Sequence, residues 1–230
     1  MRKTATFAGL GIAAALALTG CSTGAGAATP EKTTSSSSSP MAESMMTDTV
    51  NSDGAGLRAA LTALLSDHVY LAGAAIHQAL ADGGDLTAPK TAAAVAALDE
   101  NSVEVSKAVG SIYPDAEQPF LDSWRSHIPF FVNYTLAKVG NDQAGQDQAL
   151  SDLGDYAVSF GELIHSVVPE LPAEAVQKEL ETHATSLVAA IDADVAGDPG
   201  YYDLLKDAAG HMSMTAQALA GGIATNKGIQ

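Results

Sequence analysis

Three stretches of this chain carry the same stripe. Leu57, Leu61, Leu64, His68, Leu71 and Ala75 follow one another at alternating steps of four and three. Phe120, Trp124, His127, Phe131 and Tyr134 do the same, and Val176, Leu180, His183 and Leu187 repeat it before a further step of four to Ile191. That spacing puts each set on one face of a helix, so each stretch predicts a helix that buries one side. Each stripe has a single ionisable member, and it is a histidine. His68, His127 and His183 lie 59 and 56 residues apart, a period expected of tandem helical units. The middle stripe also holds the only Trp and, within Pro119–Lys138, three of the five Phe, which marks it as the centre of the core.

Each stripe is followed by a second apolar-periodic stretch. These run from about Thr91 to Ile112 (Val95, Leu98, Val105, Val109 and Ile112 inward), from about Asp147 to His165 (Leu150, Leu153, Ala157, Phe160 and Ile164 inward), and from about Tyr201 to Ala224 (Leu205, Met212, Leu219 and Ile223 inward). Turns fall at Ala81-Asp-Gly-Gly84, at Pro114 and Pro119, at Gly140–Gly145, at Pro169 and Pro172, and at Ala196–Gly200. Alanine is abundant and strand-like alternation is absent. The expected fold is all-α, six helices forming three tandem hairpins, packed as a bundle or a short helical repeat. Pro129 lies inside the third helix, lacks the N–H that would bond the Arg125 carbonyl, and should kink or restart that helix beside His127.

Ahead of the helices the composition changes. Arg2 and Lys3 precede a short apolar run, Phe7 to Leu18, too short to span a bilayer and typical of a secretion signal. Leu18-Thr19-Gly20-Cys21 follows directly and resembles a bacterial lipobox. The resemblance implies cleavage before Cys21, a diacylglycerol thioether on its sulfur and an acyl chain such as palmitate on its amino group, a multi-chain anchor that holds firmly. The expected organisation is a signal peptide at 1–20, a lipidated Cys and disordered Ser/Thr/Ala-rich tether at 21–54, and a helical domain at 55–226. Such a protein resides on the outer face of the cytoplasmic membrane. Cys21 is the only cysteine, so no disulfide is available and packing alone must hold the domain. The chain has 11 Lys and Arg against 27 Asp and Glu, a formal charge of −16. That balance excludes nucleic acid as a partner and suits solubility or the attraction of cations.

The stripe histidines are the leading candidates for chemistry. A buried imidazole needs a partner for each ring nitrogen. His68, His127 and His183, joined by His211, could converge on a ligand, or each could be satisfied by its own neighbour. In Gly210-His-Met-Ser-Met214, His211 and Met214 share a helix face, and imidazole with thioether is a set that copper accepts. Glu179 lies four residues before His183 and Asp207 four before His211, so either carboxylate could orient an imidazole as a metal's outer partner does. Met212 reads as core filling, and Met41, Met45 and Met46 as part of the tether. Glu162-Leu-Ile-His165 is a Glu-x-x-His in one copy, where a di-iron bundle requires two and further glutamates. No phosphate loop, nucleophile elbow or cysteine nucleophile is present.

Leu64–Leu71, Leu98–Ser102, Phe120–Ile128 with Phe131–Thr135, and His211–Met214 together resemble a family of exported helical proteins of Gram-positive bacteria. Some of its members are fused to modules labelled copper amine oxidase N-terminal domain. The resemblance covers about Leu57 to Ile223, implies the helical domain, and carries no established activity. Pro129 departs from the pattern. The expectation is a lipid-anchored, non-enzymatic binding protein that takes a transition metal, copper first, through His68, His127, His183, His211 and Met214. The alternative is a structural or protein-interaction module with core histidines. A redox or haem enzyme would need a pocket of several hundred cubic ångströms, which six alanine-rich helices give no reason to expect.

Overall fold

The structure is a computed structural model and describes residues 52–229. The expected signal peptide, the lipobox-like Leu18–Cys21, and nearly all of the expected tether with its methionines lie outside the described residues. Seven α-helices follow: α1 Asp53–Ala81, α2 Pro89–Gly110, α3 Glu117–Ser126, α4 Ile128–Val139, α5 Gln143–Val167, α6 Ala173–Ala196 and α7 Tyr201–Lys227, with one 3-10 turn at Pro114–Ala116. No strand occurs among the described residues. The protein is all-α, and the expected third helix is two, α3 and α4, divided at His127.

Local chemistry sets these boundaries. Ser52 caps α1 by accepting the Ala55 N–H, and Asp142 caps α5 by accepting that of Gly145. Prolines open α2 and precede α6, and Gly197 ends α6 in the left-handed region at φ 67°. At the α3/α4 break Pro129 cannot donate to Arg125, and the chain makes a shorter bond from Phe130 N–H to the His127 carbonyl (3.1 Å).

Successive helices pack as neighbours: α1 on α2, α2 on α3, α4 on α5, α5 on α6, and α6 on α7. The first and last helices also pack on each other along their length. An open repeat would hold them apart, so the arrangement is a closed bundle. On length and composition α1 is apolar enough to cross a membrane, but a core helix meets the same test. Its Leu61, Leu65, His68, Val69, Ala72 and Ile76 are buried in the bundle.

Two inward assignments are corrected. Val95 is exposed because the first half of α2 stands away from α4, and Leu150 is exposed because Ala149, Leu153, Tyr156 and Phe160 carry the inner face of α5. In α1 the buried stripe is turned by one position, which leaves Leu57, Leu64 and Leu71 at its half-buried edge.

Candidate functional site

The three stripe histidines meet in the middle of the bundle. α1 supplies His68, the α3/α4 break supplies His127, and α6 supplies His183, all buried. His68 Nδ1 lies 3.1 Å from Asn101 Oδ1, while the Asn101 amide donates to the Leu64 carbonyl at 3.0 Å. With the amide nitrogen used there, Asn101 presents an acceptor, so His68 carries its proton on Nδ1 and a lone pair on Nε2. That Nε2 faces His127 Nε2 at 3.4 Å. An N–H from His127 can sit in this gap, making a long hydrogen bond. A metal ion can replace the proton: two nitrogens on a tetrahedral ion at roughly 2.0–2.1 Å stand about 3.3–3.4 Å apart.

Aromatic rings enclose the cluster. Trp124 lies 4.9 Å from His68 and 5.0 Å from His127 between ring centroids, Tyr156 lies 5.0 Å from His127, and Phe131 lies 6.1 Å from both His127 and His183. Burial holds His68 down at about 4 against the opposing Asn101 bond. It holds His183 down at about 3, aided by the positive charges His68 and His211 would carry. His127 is held well below the usual histidine range by burial and then by His68 and His183, with the Trp124 backbone as the smallest and opposing influence. At neutral pH all three are neutral imidazoles, the form that binds metals. Four buried polar atoms here have no partner: Trp124 Nε1, His127 Nδ1, Tyr156 Oη and His183 Nδ1. Their four residues line a cavity of about 10 Å³, room for about one water.

Two larger, mainly apolar cavities flank the cluster. One, of about 150 Å³, reaches past Leu61, Trp124 and Ile223 toward the end where the chain enters and leaves the bundle. The other, of about 380 Å³, lies between α1, α2 and α4, with all three histidines in its wall. His183 borders all three spaces. The alanine-rich helices thus contain the space that their composition gave no reason to expect.

The remaining candidates lie elsewhere. His211 is half-buried between α6 and α7, its Nε2 3.2 Å from Glu179 Oε2, at ion-pair range but without hydrogen-bond alignment. Glu179 also accepts from Thr215. It therefore serves α7 and is not the partner of His183. Asp207 is exposed beside Ser66 and Lys206, and Met214 is 63 % exposed. The inner face of α7 is set by Leu205, Ala208, Ala209, Met212 and Ala216, which turns both away from the cluster. His165 Nδ1–H donates to the Leu171 carbonyl oxygen at 2.8 Å, in the turn after α5. Among the described residues no three His, Cys, Asp or Glu are already gathered as a metal site.

One contributor to the cluster, and one polar pair apart from it, were absent from the expected set. Asn101 is legible in principle, because Leu98, Asn101 and Val105 keep the three-four spacing. The pair of His77 Nδ1 with Asp194 Oδ1 (2.8 Å), stacked on Tyr201, joins residues 117 apart and has no local signal. No known family, curated protein or solved structure matches the chain.

Proposed function

We propose that this protein is an exported, lipid-anchored binding protein that holds a transition-metal ion, copper first, on His68 and His127 with His183 beside them. The observation that carries the reading is the 3.4 Å gap between two buried Nε2 atoms, one of them held as a lone pair by Asn101. The arrangement of an imidazole whose far nitrogen is fixed by a second group is how proteins aim metal ligands. Copper is favoured by charge. No carboxylate hydrogen-bonds to the three rings, and the cost of burying an uncompensated ion rises with the square of its charge, so monovalent copper suits neutral imidazoles better than a divalent ion. Met214 and His211 are not part of this set, and softness now comes from low charge and apolar surroundings.

The test is a copper(I) titration of the purified protein against a colorimetric chelator, beside zinc(II), with His68→Gln and His127→Gln variants. One ion per chain, with affinity reduced at least a hundredfold in each variant, is expected. Failure to compete with the chelator sinks the metal reading. The anchor is checked by partition into detergent, which Cys21→Ser should abolish. A second reading, a structural or protein-interaction module of the envelope, is favoured by His68 itself, since Asn101 and a His127 N–H together satisfy both its nitrogens without any ion.

A further inference from the structure

The cavity of about 380 Å³ is more than a gap in packing. Five alanines line it, Ala72, Ala75 and Ala79 of α1 beside Ile76 and Leu80, and Ala92 and Ala96 of α2 beside Val95 and Leu98, and these small side chains leave open space that leucines would close. α2 packs on α1 and α3, whereas α4 packs on α5 and α6, which leaves a slot between α2 and α4. The slot is rimmed by Leu86, Val95 and Leu136, each more than 40 % exposed and each lining the cavity. His68, His127 and His183 contribute to its wall, while the unpartnered Nδ1 atoms of His127 and His183 are closed off from it. An apolar cavity of about 150 Å³ already takes up benzene, and binding pockets for small molecules start at about 300 Å³.

We infer that this cavity binds a neutral, largely apolar small molecule, with its body between α1, α2 and α4. A neutral ligand is required because no charged side chain faces the interior; Asp99, the one ionisable group at the rim, is engaged by Arg125 at 2.6 and 2.8 Å. A group of several rings or a branched aliphatic body fits the volume. This inference does not depend on metal binding.

The probe is N-phenyl-1-naphthylamine, which is neutral and apolar. It is titrated into the full-length, chelator-treated protein while Trp124, the only Trp, is excited and energy transfer to the probe is read. One saturable site per chain is expected. Ala79→Leu and Ala96→Leu, at half-buried and exposed positions that can accept a larger side chain, should each weaken binding at least tenfold with an unchanged melting temperature. Ala175→Leu, in the wall of the other cavity, should leave it unchanged. Should the filling variants unfold, competition decides: naphthalene must displace the probe at least tenfold better than 1-naphthalenesulfonate. Non-saturable binding, binding that survives both fillings, loss in Ala175→Leu alone, or equal competition by naphthalene and its sulfonate would each overturn the inference.

Discussion

Asn101 does the most with the fewest atoms. It fixes the His68 tautomer through one end of its amide and bonds the Leu64 carbonyl through the other. Asn101→Leu keeps the volume but orphans a buried ring N–H and a backbone carbonyl. Unfolding in urea should show a loss of about 2–3 kcal/mol, and a loss below about 0.5 kcal/mol would mean that water already serves His68. The three stripe histidines were legible because a polar residue at a core position betrays itself by spacing. Met214 and Asp207 were not, because a helix carries several plausible faces and neighbours choose among them. Leu205 nests against Gly73, where a Cβ would collide with its methyl groups, and that contact fixes the rotation of α7 from outside its own sequence.

Among the elements, the α3/α4 break shows what sequence resolves well. A missing N–H at Pro129 is a local fact, and the helix restarts where it falls. The cavity shows the reverse. Alanine reads as a strong helix former, and the same residue, aligned on two facing helices, removes the side chains that would fill the space between them. Helix identity was therefore readable and helix spacing was not. The α5–α6 pair depends on one close approach: a Cβ on Gly161 would sit 2.6 Å from the Ala173 carbonyl oxygen. Backbone cannot swing aside as a side chain can, so Gly161→Ala should cost about 1–3 kcal/mol in thermal or chemical unfolding. A neutral effect would show that α6 slides freely on α5.

At the scale of the molecule, three neutral histidines in one core make stability a function of pH. Their folded values lie below the unfolded value, at about 4 for His68, about 3 for His183 and lowered well for His127. The unfolded chain binds the extra protons, so the stabilisation is complete above about pH 6.5 and is lost as pH falls toward those folded values. Between about pH 7.5 and about pH 5.5 each histidine should withdraw about 1.4 kcal/mol, or about 4 kcal/mol together, measured by urea unfolding in chelator. A change below about 1 kcal/mol would show that the folded core accepts protons. The closure of the bundle was the least legible feature, since nothing in α1 or α7 alone announces the other. That closure is antiparallel: Ser66 bonds the Ala209 carbonyl and Tyr201 the Gly73 carbonyl. Asp53 and Lys227 consequently leave the bundle at one pole, while Leu86 and Leu136 frame the slot at the other. Within the described residues, the mouth of the slot and the two chain ends thus face opposite ways, as the rim and the base of a cup do.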